Sequence, residues 1–270
     1  MVIGIDIGGT TTKIVGFKDS EPIDFITVKA SDPITSASGA LGKFLNSNNL
    51  TISSIKEIII TGAGSISIKS DLLGCHTTKI DEFKAIGLGG LYLSGLSKAI
   101  VVSMGTGTAI VKASGNSISH LGGTGVGGGT LLGLSKCILN TMDFDNIIDI
   151  ARSGSLLNVD LTVGDIAQSD IGALPKHITA SNFGKLSDKA SKSDYALGIL
   201  NLVFQTIGLL AIFAARDENY EDIVMTGQLI RVPQAKAILK ELADMFKVVF
   251  HFPEHADYST AIGAALSISR

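Results

Sequence analysis

The chain has 270 residues, of which 45% are apolar and only 17% charged, and its net charge is −3 at pH 7. Such a composition supplies ample core material and excludes a disordered chain. With its lysines and arginines scattered, the chain has no electrostatic footprint for nucleic acid.

Val2 to Ile5 is an apolar strand that delivers Asp6 to its C-terminal end, Gly8-Gly9-Thr10 turns the chain, and Lys13-Ile14-Val15 returns it. Glycines let the turn's N–H groups face outward as an anion nest, and an acid beside such a nest makes sense with a divalent cation between them. The plain alternative is an ordinary hairpin turn capped by Asp6. Ile23 to Lys29 adds a third strand, and Ile34 to Asn46 has helical spacing. Glu57 to Thr61 has the unbroken apolar centre of a strand buried on both faces, hence a parallel one. Ser65 to Leu73 reads as a helix, Thr77 to Ile80 as a strand with Asp81 and Glu82 at its exit, and Phe83 to Ser97 as a helix. Carboxylates at a strand exit of an open α/β sheet sit where ligands bind, which places Glu82 near a cleft.

Ala99 to Lys112 repeats the opening design: apolar strand, Gly105-Thr106-Gly107-Thr108 turn, apolar return. One unit used twice is the mark of a duplicated fold with two lobes. The expected division is 1–96 and 97–258, with a final helix, 259–270, packing back onto the first lobe. His120 to Thr130 reads as a glycine-rich turn that opens a helix over Leu131 to Asn140, a second place for a phosphate. A short helix over Asp145 to Ala151 precedes an irregular stretch, Leu156 to Ser193, whose most distinctive part is Ala180-Ser181-Asn182-Phe183-Gly184. After the largely apolar run Ala196 to Ala215 come a strand, Asp222 to Met225, ending in Thr226-Gly227-Gln228, then helix, strand and helix. Asn201, Gln205, Thr206 and two glycines make that run a poor lipid-facing segment, so a buried helix is expected, with no membrane partner. Cys75 and Cys137 belong to no Cys-x-x-Cys pair and are expected to be buried free thiols in a reducing cytosol. The N-terminus enters a strand without a basic n-region, which points to a cytoplasmic protein.

Gly123-x-Gly125-x-x-Gly128 satisfies the dinucleotide fingerprint, with Asp145 about twenty residues on. It lacks the second parallel strand ending at that acid, since Asp143 to Ala151 has helical spacing. Three strand-ending turns, at Gly8-Gly9-Thr10, Gly105-Thr106-Gly107 and Thr226-Gly227-Gln228, instead resemble the two phosphate loops and the adenosine loop of the actin, Hsp70 and sugar-kinase superfamily. Gly4-x-Asp6-x-Gly8-Gly9-Thr10 fills the pattern of its first phosphate loop. That resemblance implies an α/β, duplicated ribonuclease-H-like (actin-like ATPase) fold, two lobes around a nucleotide cleft.

Within the superfamily the chain most closely resembles the type II pantothenate kinases. The resemblance rests on the first loop with Lys13, Asp81-Glu82-Phe83, Gly105-Thr106-Gly107-Thr108, Gly122-Gly123-Thr124, Gly127-Gly128-Gly129, Thr179 to Gly184 and Ala261-Ile262-Gly263-Ala264. It implies transfer of the ATP γ-phosphoryl group to the primary hydroxyl of pantothenate, the first step of coenzyme A synthesis, in a homodimer. By that likeness Glu82 is the general base, with Asp81 its rival, and Asp6 organises Mg2+ through water. Lys13 contributes a cation. Gly8, Gly9, Thr10, Gly105, Thr106, Gly107, Gly127, Gly128 and Gly227 hold the nucleotide, and His120, Thr106, Gly122 and Asn182 meet the acceptor. Glu82 also suits a helix N-terminus electrostatically, and Asn182 also suits a loop cap. Two positions depart from the family: His120 stands where it commonly has Arg, and Ala109 where it commonly has Ser. Both changes fall on the acceptor side, which leaves open a kinase of another small hydroxyl compound, such as an amino sugar or pantetheine. A non-catalytic nucleotide-binding regulator is the alternative of a different class.

Overall fold

The computed structural model of the chain describes residues 1–19, 21–167, 169, 170, 172 and 175–267. The first half runs β1 (Val2–Ile7), β2 (Thr11–Lys18), β3 (Glu21–Lys29), α1 (Pro33–Ser47), β4 (Glu57–Thr61), β5 (Thr77–Lys79) and α2 (Glu82–Ser94). There follow β6 (Lys98–Met104), β7 (Thr108–Ser114), β8 (Ser117–Thr124), α3 (Gly128–Leu139), α4 (Phe144–Ala151), β9 (Leu161–Thr162), α5 (Val163–Ala167) and β10 (Thr179–Ser181). The chain ends with α6 (Lys192–Asp217), β11 (Asp222–Thr226), α7 (Pro233–Phe246), β12 (Val249–His251) and α8 (Ser259–Leu266). Local chemistry sets several boundaries. Asp32 and Asp81 cap α1 and α2 by accepting from the N–H groups of Thr35 and Lys84, each at 2.9 Å, and Gly95 in the left-handed region stops α2.

Two five-stranded sheets form, ordered β3-β2-β1-β4-β5 and β8-β7-β6-β11-β12. In each, the first three strands are an antiparallel meander and the last two run parallel to the central strand. The second sheet repeats the first strand for strand, so the duplication expected from the paired hairpins is present, in the ribonuclease-H-like form that the resemblance implies.

The two halves exchange a helix. α2 packs against β6, β7 and β8 through Phe83, Ile86 and Leu91, whereas α8 lies on β1, β2 and β4 through Ala261, Ile262, Ala264 and Ala265. The two helices cross almost backbone to backbone. A Cβ on Gly89 would stand 1.8 Å from the Ser259 carbonyl, and one on Gly263 1.8 Å from that of Ala85. A cut after residue 96 therefore leaves α2 in the first segment while its apolar face belongs to the second sheet.

The long helix α6 satisfies its hydropathy inside the second lobe. Its length and composition would suit a membrane span, but 61% of its apolar window is buried against that lobe's core, with Ile199, Leu200, Val203, Phe204 and Ile207 wholly covered. Other expectations fail. Ser65 to Leu73 is a short 3-10 turn, Ala63–Ser67, followed by an irregular segment. Its isoleucines do not share a face, Ile66 being 77% exposed and Ile68 4%. A side chain also takes one of its backbone groups, since Leu72 N–H donates to Thr77 Oγ1, and its Asp71 Oδ1 accepts in turn from Thr77 N–H, each at 3.0 Å. His120 to Thr124 is part of strand β8 and not of a turn. Cys75 is half-buried and Cys137 exposed, not buried thiols. Residues 268–270 of the expected final helix lie outside the described residues.

Candidate active site

The C-terminal ends of β1 and β6 and the turns that follow them open into one cleft of about 710 Å³. Asp6, Gly8, Gly9, Thr10 and Lys13 line it from the first sheet, Glu82 from the start of α2, and Gly105, Thr106, Gly107, Gly128 and Gly227 from the second half. The two loops touch: the hydroxyls of Thr10 and Thr106 are 3.2 Å apart. Residues far apart in sequence thus face one space large enough for a nucleotide and a small acceptor.

Not every loop amide is free to meet a phosphate. Gly8 N–H donates to Thr11 O (3.1 Å) and Gly105 N–H to Gly107 O (2.9 Å), closing the two turns. Gly128 and Gly129 donate to Gly105 O and Thr106 O, each at 2.9 Å, and so bind the start of α3 onto the second loop. Among the described residues the amides of Gly9, Thr10, Thr106 and Gly107 have no internal acceptor. Those four loop-tip amides form the nest. Gly127 is absent from the cleft lining, and a Cβ there would meet Thr106 O at 2.7 Å. Its role is close packing of α3 on the loop.

Asp6 and Lys13 are cross-strand partners at the mouth of the first hairpin. Burial pushes the Asp6 carboxyl upward, opposed by the Lys13 charge, while burial pulls the Lys13 ammonium downward against the attraction of Asp6 and Asp257. Lys13 Nζ also donates to Asp257 O at 2.6 Å, tying the first hairpin to the segment before α8. Glu82 is raised as well, by desolvation first and then by the charges of Asp6 and Asp81. Asp81 is spent differently, since its carboxylate caps α2 and does not line the cleft.

Among the described residues no group of three or more His, Cys, Asp or Glu could cage a metal ion. A magnesium ion carried by a polyphosphate needs no such cage, because it takes one or two carboxylates and fills its shell with phosphate and water. Asp6, a carboxylate in the cleft with no hydrogen-bond partner among the described residues, suits that role.

Three residues expected at the acceptor are not brought to the cleft. His120 stacks on Phe83, ring centroids 3.8 Å apart and planes 11° off parallel. Gly122, at φ 152°, absorbs a bulge in β8, where Ile110 pairs with Gly122 and Val111 with His120, leaving Leu121 over. Asn182 donates to Asp160 Oδ2 (3.4 Å) and Gln205 Oε1 (3.2 Å). Buried Asp160 also takes bonds from Asn201, Thr179 and the Phe183 N–H, so the cluster anchors the loop after β10. Conversely Ala109, expected on the acceptor side, does line the cleft, and Ser103, Phe144, Asp145, Arg231, Asp257 and Thr260 line it without having been picked out as cleft residues. Ser103 was within reach of alignment of the two hairpins, because it pairs with Ala109 as Asp6 does with Lys13. The others arrive from elements with no local signature.

A family model described as Fumble matches residues 97–267, more than half of the chain. Type II pantothenate kinases from two Bacillus cereus strains are each 31% identical to it, across 99% of this chain and 98% of their own length. Among solved structures, the activator of the 2-hydroxyisocaproyl-CoA dehydratase from Clostridium difficile, with bound ADPNP, superposes with a TM-score of 0.72. That match covers 98% of this chain and 92% of the activator at 19% identity, a likeness of fold. With the family model over the second lobe and the relatives over the whole length, the chain belongs to the type II pantothenate kinase family.

Proposed function

We infer that the protein transfers the γ-phosphoryl group of ATP to the primary hydroxyl of pantothenate, giving 4'-phosphopantothenate, the first step of coenzyme A synthesis. The observation that carries this reading, within the family just named, is the placement of Glu82. Its carboxylate, held above the ordinary glutamate range, opens into the same cleft as both phosphate loops. Phosphoryl transfer asks mainly for positioning and charge neutralisation, and a raised carboxylate is a better-matched acceptor for the proton that an alcohol releases on attack.

In this reading the amides of Gly9, Thr10, Thr106 and Gly107 orient the polyphosphate, Lys13 adds a cation, and Asp6 holds Mg2+, which would neutralise phosphate charge when bound. Glu82 takes the hydroxyl proton. The lobe boundary near residue 96 belongs to the same reading, with the crossing of α2 over α8 as the joint. So does a homodimer in the cytoplasm. Support for dimerisation is a partly covered face of α6, with Leu202 and Leu209 half-buried and Phe213 exposed, beside a groove of about 440 Å³ lined by Leu242, Met245 and Phe246. Sedimentation as a monomer at micromolar concentration would reject the dimer.

The activity test is ADP release from Mg-ATP in the presence of pantothenate, pantetheine or N-acetylglucosamine in turn. Turnover with pantothenate is the expected result. Turnover only with one of the others would keep the kinase and replace its acceptor, and no turnover with any would favour a nucleotide-binding regulator.

A further inference from the structure

The formal charges lining the cleft are unbalanced. Asp6, Glu82, Asp145 and Asp257 contribute four carboxylates, and only Lys13 and Arg231 oppose them. A polyphosphate entering such a space meets repulsion unless the cations are available to it. Lys13 is only partly so, being 6% exposed, paired in register with Asp6 and bonded to Asp257 O. Arg231 is exposed, and no hydrogen bond or ion pair of its guanidinium is seen among the described residues.

The backbone that carries Arg231 is fixed. Gly227, at φ 90°, presses against β6, where a Cβ would stand 2.5 Å from Met104 O. The 3-10 turn Gln228–Arg231 follows, pinned by Leu229 (1% exposed) before Arg231 and Val232 (0%) after it, and α7 starts at Pro233. A permanently charged side chain on a rigid turn, with its head free inside an acid-lined cleft, is placed to meet a ligand and not to hold the fold.

We propose that Arg231 is a further nucleotide-positioning residue, whose guanidinium grips the β- and γ-phosphates of ATP from the side of the adenosine loop. This rests on the reading of the cleft as an ATP site. Two further facts favour the phosphates over the base. Arg231 is close enough to Lys13 for its charge to disfavour the ammonium, so both cations address one region. A planar guanidinium also matches two phosphate oxygens at once, as an ammonium does not.

Calorimetry on the full-length protein with Mg2+ and adenosine, ADP or the non-hydrolysable analogue AMPPNP tests the assignment without any acceptor. Arg231→Ala should weaken AMPPNP about tenfold or more and leave adenosine within twofold, and Arg231→Lys should recover part of the loss. In turnover the KM for ATP should rise more than kcat falls, and the loss should shrink at high salt. Unchanged AMPPNP binding, or an equal loss for adenosine, would overturn the role of Arg231 alone. If the unaltered protein binds neither ADP nor AMPPNP, the ATP reading of the cleft fails with it.

Discussion

The two sheets are copies in topology and differ in charge. In β1 and β2 the next-to-last pair before the turn is Asp6 with Lys13, whereas in β6 and β7 the same register place holds Ser103 with Ala109. Both pairs line the cleft. The parallel strands match as closely: Thr61-Gly62 ends β4 and Thr226-Gly227 ends β11, with φ 84° and 90° at the glycines and a 3-10 turn after each. The threonine hydroxyls are used differently, that of Thr61 donating to Ile80 O just after β5 and that of Thr226 to Val102 O in β6, each at 3.1 Å. The difference teaches that the shared backbone builds the pocket, and that a few side chains at its rim divide the work. At this place the first copy carries a buried charge pair and the second a neutral one.

The largest effects should therefore come from the charged copy. Asp6→Asn and Glu82→Gln should each cut kcat by about two orders of magnitude or more with the fold intact, as for a lost metal organiser and a lost base. Ser103→Ala, at the place matching Asp6, should cost less than about tenfold. Equal losses in steady-state kinetics would mean that the copies have not diverged in function.

Gly62→Ala and Gly227→Ala make one lesion in both copies. Each forces a side chain into a left-handed conformation and against backbone, costing of the order of 1–3 kcal/mol in thermal or denaturant unfolding. Their kinetic readouts should differ. At Gly62 a Cβ would stand 2.5 Å from Asp6 Oδ1, so kcat should fall, whereas at Gly227 it would displace the turn that carries Gln228 and Arg231, so the KM for ATP should rise.

The raised Glu82 gives a smaller, pH-dependent contrast. Its ionised form is disfavoured in the fold, so its contribution to stability is present at low pH and is lost as pH rises through its raised folded-state value. Glu82→Gln removes that loss. Its melting temperature should match the unaltered protein's below the ordinary glutamate range and exceed it at higher pH, and the acid limb of the unaltered protein's kcat/KM should lie above that range. A lower melting temperature at every pH would show that the carboxylate stabilises the fold.

Much of this was legible in sequence, because duplicated hairpins and strand-ending glycine turns are local patterns. Asp6, Lys13 and Glu82 stand at strand ends, and the topology that gathers strand ends also gathers them. What stayed hidden is non-local. Nothing in the apolar spacing of α2 says that it packs on the other sheet, since the small residues that permit its crossing with α8 lie on both helices. Strand β8 was masked by Gly122 and Gly123, which read as turn residues although they serve a bulge and a close approach to Thr108 O. Gly8, Gly105 and Gly128 suggested free amides, but a sequence does not show which amides a turn has already used.

His120 should give the smallest effect and the sharpest test of where the acceptor site ends. On the family pattern it replaces an arginine that meets substrate, yet its ring lies flat on Phe83, the residue after Glu82. That stack joins β8 to the start of α2 next to Glu82, a contact of about 0.5–1.5 kcal/mol. His120→Phe keeps a flat ring and loses both nitrogens, whereas His120→Ala loses the stack. The expected order is a near-normal KM for pantothenate in both, near-normal kcat in His120→Phe, and kcat reduced a few-fold in His120→Ala with a lower melting temperature. If His120→Phe instead raises the KM for pantothenate tenfold or more with kcat unchanged, a ring nitrogen touches the acceptor, and the second copy reaches further into the reaction than its neutral hairpin suggests.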